Sequence, residues 1–161
     1  MWCLNNNILF GCLSALPQLY DYASYGPLLL RLALAAVFIV HGYPKLFAKT
    51  MPDGSRHGGI TATAGFFESI GIRPAKFLAV VVGVVEFFGG ILLIAGFGVQ
   101  IIALLLAINM LVAIWKVKFK MGFAGGPASP AGGWEFDFVL LIMALSLLVL
   151  GPGAYALDLP L

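Results

Sequence analysis

Eight polar side chains, Arg31, His41, Lys45, Glu86, Asn109, Lys116, Glu135 and Asp137, lie within or at the ends of otherwise apolar runs. An ionisable group at mid-membrane costs about 2.5 to 3.5 kcal/mol on the insertion scale, so each of these needs a partner, a wet cavity or a route to water. Lys45, Lys116 and Glu135 stand near the ends of their runs and can reach water along their own apolar stems. Glu86 cannot, because it lies about 11 residues, roughly 16 Å, inside its run. It must be neutral or face a cation within the protein.

Ala79, Gly83, Glu86 and Gly90 follow one another at helical spacing and share one face. Small residues on a face let helices approach closely, which turns Glu86 toward its neighbours and away from lipid. Asn109 reaches a similar depth from the opposite direction, and His41 and Lys45 are one turn apart on a third run. Pro44, between that pair, removes a backbone donor and frees the carbonyl of Val40, so a kink is expected there. Together these residues describe a polar pocket opening toward the cytoplasm, with His41, Lys45, Glu86 and Asn109 inside and Glu135 and Asp137 at its mouth. Such a pocket can do proton and hydrogen-bond chemistry. A carboxylate or imidazole can relay protons, the imidazole and amide can each donate to a carbonyl oxygen, and apolar walls can take a tail, which are the requirements for a quinone headgroup. The alternative is a set of structural ion pairs that fasten the helices, in which Arg31, Lys116, Glu135 and Asp137 also take part.

No electron carrier is encoded alongside. There is no haem-ligand His pair, flavin fingerprint or set of cluster cysteines, so electrons would have to come from a partner. Cys3 and Cys12 are the only cysteines, and their separation fits neither a C-x-x-C redox pair nor a zinc site, so no metal is expected.

These groups are positioned by membrane helices. Of 161 residues, 61% are apolar and only 10% charged, against about a quarter in soluble domains, and that is too few charges for a water-soluble shell. The net charge of +2 gives no reason to expect nucleic acid, and the membrane lipid is the partner that composition implies. Apolar runs fall at Leu28 to Phe47, Ala75 to Phe97, Val99 to Trp115 and Phe136 to Leu150. As a single helix, Phe77 to Trp115 would reach roughly 58 Å, about twice the hydrocarbon thickness, so a hairpin turning at Gly96-Phe97-Gly98 is required. The fourth run is short but reads as a span, with Trp134 and Tyr155 at its two interfaces. The fold class is therefore all-α, an integral membrane four-helix bundle, with residues 27–161 as the four-span domain and residues 1–26 as a surface segment.

All the basic residues except Arg31, namely Lys45, Lys49, Arg56, Arg73, Lys76, Lys116, Lys118 and Lys120, cluster around the first and third connections. The positive-inside rule puts both in the cytoplasm and both termini outside, as expected of a multi-pass protein of the bacterial cytoplasmic (inner) membrane. Tyr20, Tyr22, Tyr25 and Tyr155 would form an outer aromatic belt, and Trp115 and Trp134 an inner one. Within the long first connection, Ile60 to Ile72 reads as a short interfacial helix between the first and second spans, closed by Gly71 and Pro74. The second cytoplasmic connection, Met121 to Gly133, is rich in Gly, Pro and Ala and suits a mobile or partner-shaped loop. Leu9-Phe10-Gly11-Cys12 is similar to a lipoprotein cleavage box, yet no Lys or Arg precedes it, so an uncleaved segment is expected.

Several stretches resemble the DoxX family of small bacterial membrane proteins, which includes the DoxD-type subunit of thiosulfate:quinone oxidoreductase. They are Leu30-Arg31-Leu32-Ala33-Leu34, His41-Gly42-Tyr43-Pro44-Lys45-Leu46-Phe47, Gly65-Phe66-Phe67-Glu68-Ser69-Ile70-Gly71-Ile72, Val85-Glu86-Phe87-Phe88-Gly89-Gly90-Ile91-Leu92-Leu93, and Glu135 through Leu150 followed by Gly151-Pro152-Gly153 and Asp158. The resemblance runs from Pro27 to Asp158 and implies a four-span bundle tied to respiratory or sulfur-linked redox chemistry beside another protein subunit. It also implies that Arg31, Lys45, Glu86 and Glu135 are pocket or structural residues. The DoxD-type subunit is longer and works with a second subunit, so the resemblance does not by itself imply thiosulfate oxidation.

The expected function is thus a membrane subunit of a redox-associated complex, binding a quinone and catalytic only as part of a quinone-linked oxidoreductase with a partner subunit. No covalently bound cofactor is expected. The competing expectation is a non-catalytic anchoring or assembly subunit whose basic loops dock a partner or anionic lipid. A solute transporter ranks third, because paired broken helices in two related halves are missing.

Overall fold

The computed structural model describes residues 22–48, 59–124 and 132–158, and every described regular element is helical. The N-terminal segment with both cysteines, Tyr20, Lys49, Arg56 and most of the Gly/Pro-rich connection lie outside the described residues.

Helix α1 is Tyr25–Phe47, α2 is Gly59–Ser69, α3 is Ala75–Ala95, α4 is Val99–Ala113 and α5 is Glu135–Leu150. A π-helical turn, Ile114–Lys118, and a 3₁₀ turn, Phe119–Met121, extend α4 without a break. Three stretches, Tyr25–Phe47, Ala75–Ala95 and Val99–Met121, are long and apolar enough to cross a membrane. Their outward faces carry large apolar side chains such as Val40, Phe77, Ile101 and Leu111, as lipid-facing helices do. The chain is a multi-pass membrane protein. At 16 residues α5 measures about 24 Å, short of the roughly 30 Å hydrocarbon layer.

The turn between α3 and α4 is Gly96-Phe97-Gly98, with Gly96 and Gly98 both left-handed at φ of 69° and 62°. Gly96 closes α3, its N–H and that of Phe97 taking up the carbonyls of Leu93 and Leu92. Pro44 lies within α1 without ending it, and the helix finishes one turn later at Phe47. Helix α2 runs from Gly59 to Ser69, slightly shorter than the Ile60 to Ile72 expected, and buries Ala64 against Ala75 and Ala79 of α3.

Packing divides the bundle into two groups. Helix α1 lies closely along α3, and α5 along α4, whereas α3 and α4 pack less closely against each other. The α1/α3 approach rests on glycines: a β-carbon on Gly90 would stand 2.7 Å from Ile39 Cγ1, and one on Gly83 2.7 Å from Leu46 Cδ2. Leu34, Phe38, Leu93, Leu106, Ala144 and Leu147 form the core where the groups meet. Beyond α5, residues 151–158 fold back over the end of the bundle. Ala154 donates to the Ser24 carbonyl and Asp158 to that of Gly96, so α5 finishes at the end where α1 begins and α3 turns into α4.

Candidate functional site

Glu86 stands on the face formed with Ala79, Gly83 and Gly90, and all four residues are buried. Only 2% of its side chain is exposed. Lys45 Nζ donates to both carboxylate oxygens at 2.6 Å, and Asn109 Nδ2 donates to Oε1 at 2.7 Å. One carboxylate thus gathers donors from α1 and α4 while standing on α3. Gly42 makes this possible on the α1 side, where only a hydrogen fits against Glu86 and Phe87.

Beside this centre lies a cavity of about 520 Å³. His41, Lys45, Glu86 and Asn109 all line it, and its other walls are mostly apolar: Val37 and Phe38 from α1, Phe66 and Phe67 from α2, Val82 and Val85 from α3, Leu105 and Ile108 from α4, and Phe136 and Leu140 from α5. His41 is exposed and makes no hydrogen bond with another described residue, which leaves its imidazole open to the cavity.

The remaining polar residues separate. Asp137 is buried, lines the cavity and pairs with Lys118 at 2.7 Å. Lys118 was expected only as one of a basic cluster, and the π turn accounts for its position. On an uninterrupted α-helix it would project about 180° from Asn109, and the extra residue of a π turn rotates it back by about 100°. A π turn leaves no mark in the apolar pattern by which the sequence could have shown this. Glu135 and Lys116 are both exposed and outside the cavity lining, and neither makes an ion pair with another described residue. Lys116 lies 4.7 Å over the Trp115 ring.

Arg31 is at the opposite end of the bundle. It is fully buried, and Nη2 donates to the carbonyls of Ala154 and Tyr155 at 3.1 and 3.3 Å, while Nε and Nη1 make no hydrogen bond. It is therefore no part of a pocket mouth, and its contacts are backbone carbonyls where ion pairing was one expectation. Close by, the Asp158 carboxylate accepts from the backbone N–H groups of Gly98 and Val99 at 2.8 and 2.7 Å and caps α4. Tyr25 and Tyr155 meet edge to face at this end, with Tyr22 beside Tyr25.

The DoxX family model matches residues 26–119. A Bacillus subtilis (strain 168) protein named "Putative oxidoreductase CatD" is 34% identical over 133 residues, covering 83% of this chain and 84% of that protein. The "Uncharacterized membrane protein Rv3486" of Mycobacterium tuberculosis is 33% identical over 135 residues, covering 80% of this chain and 77% of its own. No solved structure matches the chain. The matched residues 26–119 contain Arg31, His41, Lys45, Glu86 and Asn109, and end before Glu135 and Asp137.

Proposed function

The chain belongs to the DoxX family, and from that premise we propose that it is the membrane subunit of a redox-associated complex and binds a quinone headgroup in the cavity beside Glu86. One observation carries this reading: donors and acceptors from three helices converge at one depth on the wall of a largely apolar cavity. A quinone ring needs hydrogen-bond donors at its carbonyl oxygens, and His41 with the Asn109 amide can supply them. Reduction to the quinol takes up two protons, for which Glu86 or His41 is the relay, and two electrons, which come from a partner subunit. The oxidoreductase name of the Bacillus subtilis relative is in keeping with this chemistry. In this reading α5 is the fourth span, and the chain sits in the bacterial inner membrane with its basic connections on the cytoplasmic side.

A photoreactive quinone tests the site. It should label peptides of α1, α3 and α4, and less so when His41→Leu and Asn109→Leu are combined. Labelling spread evenly over the lipid-facing surface would leave the anchoring role in first place. That second reading has its own support, because Lys45 and Asn109 already satisfy Glu86 and tie three helices together without any ligand.

A further inference from the structure

The cavity has two boundaries of opposite character. Where α4 passes into the π turn and α5 begins, Lys118 and Asp137 meet across it at 2.7 Å, and Asp137 is buried. Along the bundle, between α3 and α4, the described residues form no ion pair, and the Asn109–Glu86 hydrogen bond that joins the two helices ends on a carboxylate only 2% exposed. There the lining residues Val81, Leu105, Ile108 and Val112 are also exposed on the outer surface of the helices, with Ile108 at 50%. Phe66 and Phe136 also line the cavity and are exposed, at 46% and 48%, so what distinguishes the α3/α4 side is its chemistry: four branched aliphatic side chains stand together there on helices whose outer faces are apolar. What lies outside that side is lipid.

Formal charge points the same way. The described lining holds two cations, Lys45 and Lys118, each paired with a carboxylate, Glu86 and Asp137. The pairs cancel, so an anionic guest would meet no uncompensated cation and would forfeit its hydration for nothing. A neutral amphiphile forfeits little.

Building on the quinone reading above, we infer that the ligand is an uncharged, membrane-dissolved amphiphile that enters sideways from the bilayer between α3 and α4, while the Lys118–Asp137 pair closes the end of the cavity against direct passage from water. The tail stays between Val81 and Ile108, and the head group reaches inward to Asn109 and Glu86. The pair tying the π turn to α5 acts as a positioning element that holds the far wall of the cavity in place.

The test compares two photoreactive quinones, one with a long isoprenoid tail incorporated in liposomes and one tailless and added from water, on the full-length protein reconstituted in the same vesicles. Ile108→Trp should slow capture of the long-tailed probe at least tenfold more than capture of the tailless one. Replacing the pair, Asp137→Asn with Lys118→Gln, should shift the preference the other way by raising the capture rate of the tailless probe. Val81→Trp, on the facing helix, repeats the first arm should Ile108→Trp fail to fold. Equal slowing of both probes by the portal tryptophans, or none, overturns lateral access while leaving the quinone reading intact. Capture of neither probe by the unaltered protein overturns that reading and this inference with it.

Discussion

A β-carbon placed on Gly42 of α1 would stand 2.9 Å from Cβ of Glu86 on α3 and 2.5 Å from the Phe87 backbone nitrogen. The Lys45–Glu86 pair exists because α1 and α3 approach this closely one turn away. Gly42→Ala should push the helices apart, since the opposing atoms are backbone and cannot rotate aside. The expected loss is about 1 to 3 kcal/mol of stability, the range for overpacking. Gly83→Ala meets the flexible end of Leu46 and should cost less. Thermal melting of both variants in detergent checks the order, and equal losses would mean that the close approach is not set at Gly42.

The two halves of the pair should respond unequally to mutation. Lys45→Met leaves a carboxylate that is 2% exposed without its cation, which should cost about 3 to 5 kcal/mol. Glu86→Gln keeps the side-chain shape and leaves a lysine whose side chain is 32% exposed and can swing toward water, so it should cost less. The double variant Lys45→Met with Glu86→Leu should recover much of the first loss. Melting temperatures that fall by the same amount in both single variants would show that exposure of Lys45 does not relieve it.

Asp158 holds the start of α4 and the folded-back C-terminal segment at once. Asp158→Ala removes the acceptor for two backbone N–H groups and should lower stability by about 0.5 to 2 kcal/mol, as for other helix N-caps. Amide exchange should rise first at Gly98 and Val99. An unchanged exchange pattern at those two positions would mean that water replaces the carboxylate without loss.

Reporter fusions decide whether α5 crosses. A fusion after Lys120 should be cytoplasmic and one after Asp158 external, since residues 151–158 contact Ser24 and Gly96 at the end where α1 begins. Reporters on the same side after both positions would reduce the membrane domain to three spans.

Much of the scaffold was legible from sequence alone. A run of apolar residues long enough to span must become a helix, because no other backbone satisfies its own hydrogen bonds in hydrocarbon, and the length between Phe77 and Trp115 forces a turn where Gly96 and Gly98 permit left-handed backbone. The buried face of Ala79, Gly83, Glu86 and Gly90 follows from helical spacing and small side chains. Which residues meet across helices was decided only in the tertiary structure. Helices apolar on almost every side carry no stripe that fixes their rotation, so the sequence could not show that Lys118, turned by the π segment, pairs with Asp137, while Glu135 and Lys116 face outward. Nor could it show that Arg31, 123 and 124 residues before its partners, would lie under the carbonyls of Ala154 and Tyr155 at the far end of the bundle. Such a contact depends on the path of the segment after α5, where no periodicity operates, and on the packing that brings Ala154 and Tyr155 beside the start of α1.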